Sequence, residues 1–417
     1  MENLLKAFNE IKQKKVSIDL TRGKPHSDQL DLSNDLMTIP VNPIGENNVD
    51  LRNYGEPVGI IEARKLGADI LESKVELTIA GEQSSYLLMT QLLLGRYLFG
   101  INDDPWKKDK EPAFICAVPG FDRHFATLDG LGLKMYTVDL CASGIDLEDL
   151  SHKLSKYPNI KGLICVPRHS NPSGEVFFDE NITELLKITK EYDPNFINLF
   201  DNAYLIHDFN DTKVQTPIPV LADNIGALEN TAVFTSFSKV TFGGGSMAFL
   251  TTGEKNFKLI EKVRNMMVIC PDKINQRRHV NFFKNKSNIL EHMKKHASLV
   301  KPKFEPVNKK LSNLSSEVGE YTNPTGGYFV TFYSKKPIAK RIVALCAEAG
   351  LLLTPAGSTY PYGNDPNDSV LRIAPTYIDI DELDVAMDIF VLSAQIAHSE
   401  ICLLYTSDAA DEGGCVD

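Results

Sequence analysis

Between residues 59 and 252, short unbroken apolar runs alternate with segments of helical spacing, and this alternation restricts the fold more than any other feature of the chain. The runs are AFICAV (113–118), LKMYTV (133–138), IKGLICV (160–166), NFINLF (195–200), TAVFTSF (231–237) and SMAFLTT (246–252). GIIEARKLGADILES, SSYLLMTQLLLGRYL and ITELLKITKEY carry apolar residues at helical spacing. A strand that is apolar throughout must be covered on both faces. The pattern therefore predicts an α/β fold with a mostly parallel sheet between layers of helices.

The character changes after about residue 275. A polar helical stretch, expected to break at Pro302 and Pro306, leads to GGYFVTFY, a helix at 336–349, LLLTPAG, VLRIAPTY and a last helix from about 380. This reads as a smaller α+β domain formed by 1–44 and 286–401, beside a large domain at 45–285. A chain of 417 residues exceeds what one compact core usually holds, which agrees with two domains. The segment CLLYTSDAADE resembles the translation of a sequencing-library adapter, so 402–417 is expected to be a non-native, disordered tail.

With 44 Lys+Arg against 55 Asp+Glu, the net charge of −11 argues against a general binder of nucleic acid or anionic membrane, while leaving room for a local basic pocket. The seven cysteines show no metal or redox spacing, and Cys116 and Cys165 fall inside apolar runs, as buried thiols of a reducing compartment would. MENLLKAFNEIKQKK reads as an amphipathic helix without the apolar core of a signal peptide. YLLMTQLLLGRYLFGI is too short and too polar to span a bilayer comfortably. The expectation is a cytoplasmic protein with no metal and no membrane partner.

Chemistry concentrates at FTSFSKVTFGGGS, where Lys239 follows an apolar run and precedes three glycines. It is not a nucleotide-binding P-loop, since there the glycines come before the lysine. A solvated lysine at a strand end is the ordinary alternative. Ser236, Ser238, Thr241 and the glycines instead suit close approach of backbone to a ligand, and ligands of such sheets bind at the carboxyl ends of the strands. NLFDNAY places Asp201 at another strand end with Tyr204 three residues on, either a helix cap or a carboxylate needing a cationic partner. Asn171-Pro172-Ser173-Gly174 ends a third strand, a good turn in its own right; a second copy, NPTG at 323–326, reads as a turn or packing device.

In order, Asn–Pro–x–Gly, Asp-x-x-Tyr, Ser-x-Ser-Lys and a distal LRIAP with Arg372 resemble the fold-type-I pyridoxal-phosphate (PLP) aminotransferases. TRGKPHSDQLDLSN, RNYGEPVGIIEAR, VPGFDRHF, FDNAYLIHD and LTPAGSTYPYGNDPNDSVLRIAPT make the chain most similar to the divergent bacterial aspartate aminotransferases of subgroup Ic. The resemblance implies a large domain with a mostly parallel seven-stranded sheet, PLP as cofactor, amino-acid and 2-oxo-acid substrates, and a homodimer with shared active sites. It assigns Lys239 as the Schiff-base lysine and proton shuttle, Asp201 as partner of the pyridine nitrogen, Asn171 and Tyr204 as partners of the ring 3-oxygen, and Phe121 as the stacking aromatic, with His124 as runner-up. The phosphate would sit at Gly81, Glu82, Gln83, Ser84 and Ser85, with Ser236 adding a hydroxyl and Tyr54 reaching the phosphate of the neighbouring subunit. Arg372 would hold the substrate α-carboxylate. Arg22 and Lys24, flanking Gly23, are the candidates for a side-chain carboxylate, and Arg123 and Arg168 also stay open.

One departure stands out. Many relatives carry a phosphate-binding arginine shortly after the lysine, where this chain has Gly243-Gly244-Gly245-Ser246-Met247. The expected activity is transfer of an amino group from aspartate to 2-oxoglutarate. A transaminase of other substrate, a carbon–sulfur β-lyase, a non-catalytic PLP-binding regulator and a PLP-free Schiff-base aldolase are the alternatives.

Overall fold

The computed structural model describes residues 1–210 and 215–412, with 404–412 as backbone only. After β1 (Ile18–Asp19), eight strands form the main sheet: β2 (Thr78–Ala80), β3 (Ala113–Val118), β4 (Lys134–Cys141), β5 (Gly144–Ile145), β6 (Ile160–Cys165), β7 (Ile197–Asp201), β8 (Thr231–Ser236) and β9 (Ala248–Thr252). Their order is β2-β9-β8-β7-β6-β3-β4-β5. From β8 to β4 all neighbours run parallel, while β9, β2 and the two-residue β5 are antiparallel to theirs. The seven-stranded expectation thus acquires an eighth strand, β5, a short return from β4 with no apolar run to announce it.

Alternate residues of one strand feed opposite cores. Ile115 and Ala117 pack with Leu163, Phe200 and Val233 on one face. Phe114 and Cys116 pack with Ile164, Leu199 and Ala232 on the other. Both faces are covered, which is why these strands read as continuous apolar runs. Burial pushes the Cys116 and Cys165 thiols above their ordinary pKa, leaving them as packing groups.

A further core joins the chain's two ends. Phe8, Ile18 and Leu20 pack with Phe304, Phe332, Ile342, Ile373 and Phe390. The strands here are β10 (Gly319–Tyr321), β11 (Val330–Ser334) and β13 (Val370–Ile373) in an antiparallel sheet, with β12 (Leu351–Leu352) parallel to β1. Helix Lys286–Val300 spans both regions: Ile289 and Met293 join the main-sheet core and Val300 joins this one.

Two local expectations are corrected. A 3-10 turn at Lys301–Lys303 carries Pro302 and ends the long helix, whereas Pro306 lies in the first turn of helix Phe304–Leu311, where a missing N–H costs nothing. The last helix runs Ile380–Glu412, so the backbone of 402–412 is helical where disorder was expected; residues 413–417 lie outside the described residues. Ala409 and Ala410 are strong helix formers that extend a helix already nucleated. Ile380–Leu403 is long and apolar enough to cross a membrane by length and composition alone, but Ala386, Met387, Phe390, Ala394 and Ala397 are spent on the protein's own core.

Candidate active site

The carboxyl ends of β3, β6, β7 and β8 are adjacent in the sheet, and the turns that leave them carry Phe121, Asn171, Asp201 and Lys239. A cavity of about 210 Å³ opens there. All four residues line it, together with Tyr204, Ser236 and Ser238. Ser84 and Ser85 complete the opposite wall from the start of helix Ser85–Leu98. Four segments far apart in sequence meet because parallel strands bring all their carboxyl ends to one edge.

The Lys239 amine stands 4.8 Å from the centre of the Tyr204 ring. Loss of hydration lowers its pKa, and the Asp201 carboxylate pulls it partly back. A lysine so placed is closer to the neutral, nucleophilic form than one in water. The buried Tyr204 phenol is pushed well above its ordinary pKa by burial, so it stays protonated. Asp201 accepts a hydrogen bond from His124 Nε2 at 2.9 Å and one from the Ser85 hydroxyl at 3.4 Å. His124 therefore orients the carboxylate, and the Phe121 ring meets His124 edge-on at 5.1 Å with its remaining surface to the cavity.

Ser84 makes no side-chain cap on helix Ser85–Leu98, so the first-turn N–H groups stay available to an anion. The Ser236 and Ser238 hydroxyls lie 3.0 Å apart beside it, and Ser238 donates to the Gln83 carbonyl at 2.8 Å. Gly81 and Gln83 shape the turn without lining the cavity. Glu82 points away from it, into a pair with Arg264.

Arg372 is buried behind the cavity wall, against Asn171. Its Nη1 donates to Asn171 Oδ1 at 3.2 Å, and its Nη2 to the Thr21 carbonyl and the Thr354 hydroxyl, both at 3.0 Å. Nε is buried and has no hydrogen-bond partner among the described residues. Segment 21–24 thus borders Arg372, yet neither Arg22 nor Lys24 lies on the cavity wall; the Lys24 amine sits 5.1 Å from the Tyr377 ring. Arg168 is committed to Asp208 at 2.7 Å, whereas Arg123 lines the cavity. Tyr54 is 78% exposed and does not line this cavity, and its loop is fixed by a hydrogen bond from Lys273 to the Tyr54 carbonyl.

The second NPTG is resolved by its neighbours. Phe209 N–H donates to the Thr325 carbonyl and Gly327 N–H to the His207 carbonyl, so the turn clamps the segment after Tyr204. Pro324 also abuts Gly174, so the two Asn-Pro-x-Gly turns meet face to face. Tyr86, Val166 and Ala203 line the cavity unannounced by any motif, as ordinary residues next to conspicuous ones.

Residues 1–404 match the family model described as aspartate amino-transferase. The chain belongs to the aspartate amino-transferase family. Within this aminotransferase family it is 36% identical over 409 residues to an aspartate aminotransferase of Corynebacterium glutamicum, covering 96% of this chain and 94% of that one. A solved aspartate transaminase from C. glutamicum superposes with a TM-score of 0.90 at 34% identity, covering 96% of this chain and 95% of that one. The Pyrococcus horikoshii kynurenine aminotransferase, solved in complex with PMP, shares the fold with a TM-score of 0.77 at 18% identity, covering 94% of each chain. The protein is thus an aminotransferase of fold type I, as the order of its sequence motifs led one to expect.

Proposed function

We propose that this aminotransferase depends on pyridoxal phosphate and moves the amino group of aspartate to 2-oxoglutarate. The observation that carries the reading is one cavity holding a desolvated lysine, a carboxylate fixed by histidine, and an uncapped helix start flanked by serine hydroxyls. That donor set fits the cofactor: an anion end at Ser84, Ser85, Ser236 and Ser238, an acid for a ring nitrogen at Asp201, and an amine at Lys239. When bound, PLP supplies an aldehyde that condenses with amines and a ring that accepts electrons.

The chain's residues do the rest. Asp201, held by His124, keeps a ring nitrogen protonated. The neutral Tyr204 hydroxyl and the Asn171 amide serve as hydrogen-bond partners for a ring oxygen. Lys239 would hold the cofactor through its amine, and the same amine is placed to take and return the substrate Cα proton. The planar Arg372 fork grips the α-carboxylate, pre-aligned by Asn171, Thr21 and Thr354. For the side-chain carboxylate we propose Arg123, because it lines the cavity while Arg168 is already paired and Lys24 faces Tyr377.

We further propose a homodimer. Tyr54, Met266, Met267 and Ile269 are all exposed, and hydrogen bonds from Lys273 to the Tyr54 carbonyl and from Arg264 to the Pro57 carbonyl tie the Tyr54 loop to the segment bearing them. A second copy covering this face would bring Tyr54 toward its neighbour's cavity.

Borohydride treatment of the purified protein, followed by peptide mass analysis, tests the cofactor assignment. The expected result is the reduced cofactor's mass on the peptide containing Lys239, with no such adduct and no aspartate-dependent formation of glutamate in Lys239→Ala. An adduct on another lysine, or turnover surviving in Lys239→Ala, would overturn it. A panel of aspartate, cystathionine and aromatic amino acids separates the proposed substrate from the alternatives.

A further inference from the structure

The turn that leads into helix Ser85–Leu98 contains an acid, Glu82, two residues before the serines at the proposed anion end. A carboxylate in that position opposes the binding of any phosphate. The glycines at 243–245 bring no side chain to offset it, and the cations on the cavity wall, Lys239 and Arg123, are spoken for by other proposed roles.

The offset comes from beneath. Arg264, whose side chain is fully buried, pairs with Glu82: Nη1 donates to Oε2 at 2.9 Å, and Nη2 lies 2.8 Å from Oε1 as a charge contact without hydrogen-bond geometry. Nη1 also donates to Gln91 Oε1 at 2.7 Å, and Nε to the Pro57 carbonyl at 2.6 Å. Helix Glu254–Met267 can bring Arg264 this close because Gly95 lets it pack tightly on helix Ser85–Leu98: a Cβ at Gly95 would lie 3.1 Å from both Leu259 and Val263. Arg264 so placed binds the turn, the helix that the turn enters, and the Tyr54 loop at once.

Resting on the cofactor reading above, we infer that Arg264 is a positioning residue for the cofactor phosphate, acting through Glu82: it neutralises the acid in the phosphate turn and holds that turn open to the anion without touching it. With no arginine shortly after Lys239, this chain brings no other cation among the described residues to that turn to offset the acid, and the neutralisation falls to Arg264. Removing Arg264 exposes the phosphate to an uncompensated carboxylate, whereas removing both charges restores neutrality.

The test compares binding of PLP and of pyridoxal, which has no phosphate, to apoprotein of the wild type, Arg264→Met, Glu82→Gln and the double variant, by spectroscopic titration. Arg264→Met should lose PLP affinity by roughly tenfold or more, the scale of one charge interaction in a poorly screened site, with pyridoxal affinity nearly unchanged. Glu82→Gln should bind PLP at least as tightly as the wild type, and the double variant should recover most of what Arg264→Met loses. Equal losses for PLP and pyridoxal in Arg264→Met, or no recovery in the double variant, would overturn the inference while leaving the cofactor reading intact. Should Arg264→Met fail to fold, Glu82→Gln still decides: weaker PLP binding than wild type, at unchanged pyridoxal affinity, contradicts an acid that must be neutralised. A wild-type apoprotein that binds no PLP would overturn the inference and the cofactor reading together.

Discussion

Gly23 lies against the ring of Phe329 so closely that a Cβ on it would fall 2.6 Å from Phe329 Cζ. The same ring sits 5.0 Å from the Arg372 guanidinium. Gly23→Ala must therefore push Phe329 and, through it, the arginine proposed to hold the substrate α-carboxylate. Overpacking of this kind costs on the order of 1–3 kcal/mol, and here the ring can relieve it only by moving. The expected outcome is a rise in KM of roughly tenfold for every amino-acid substrate, with folding retained by circular dichroism. Unchanged KM values would show that Phe329 yields in another direction.

Arg372 and Arg123 should separate in a substrate panel. Arg372→Lys replaces a two-pronged grip by a point charge and strands the Asn171, Thr21 and Thr354 acceptors, so aspartate, glutamate and alanine should all suffer. Arg123→Gln removes only the cation proposed for the second carboxylate. It should lower kcat/KM for aspartate by about 10²-fold or more, the value of a lost charged partner in a site, and leave alanine within a few-fold. Equal losses on both substrates would remove Arg123 from the specificity role.

The strands and the four turns at their carboxyl ends were legible because burial on both faces enforces a signal that needs no tertiary knowledge: β3, β6, β8 and β9 fall within the apolar runs that announce them, and β7 passes the end of its run only by Asp201. What stayed hidden depends on partners distant in sequence. Glu82 read as a phosphate-turn residue because nothing local signals that Arg264, 182 positions away, claims its carboxylate. His124 competed with Phe121 as a stacking group, and only the fold shows it bonded to Asp201. The short β5 and the helical course of 402–412 lack a tertiary signal in sequence, the first for want of length and the second because polar, alanine-rich segments are compatible with helix and coil alike.

The loop that follows Lys239 makes stability depend on pH. Thr241, two residues on, is 3.0 Å from His279 Nε2, while His279 Nδ1 donates to the Asn275 carbonyl at 2.9 Å. Nδ1 must donate to that carbonyl, so in the neutral ring that burial favours Nε2 is the acceptor and Thr241 the donor, turned from its 3.3 Å contact with the Phe237 carbonyl. Burial lowers the His279 pKa from 6.5 to about 4, and burial together with the neighbouring His292 lowers that of His296 to about 3. In the unfolded chain both rings take up a proton near their ordinary pKa. In the folded protein neither does until far lower pH. Their neutral forms therefore contribute stability in full above about pH 6.5, and that contribution is lost as pH falls toward the folded values, each ring accounting for about 1.4 kcal/mol per pH unit. Urea unfolding at pH 7 and pH 5 should show the loss. His279→Phe, which keeps a flat ring beside Phe237, should be less stable at pH 7 through the lost Thr241 bond, yet its stability should fall less steeply with acid, by close to one proton's worth. An unchanged slope in this variant would mean that His279 is protonated in the folded state, and with it that the hydrogen bond to Thr241 runs the other way.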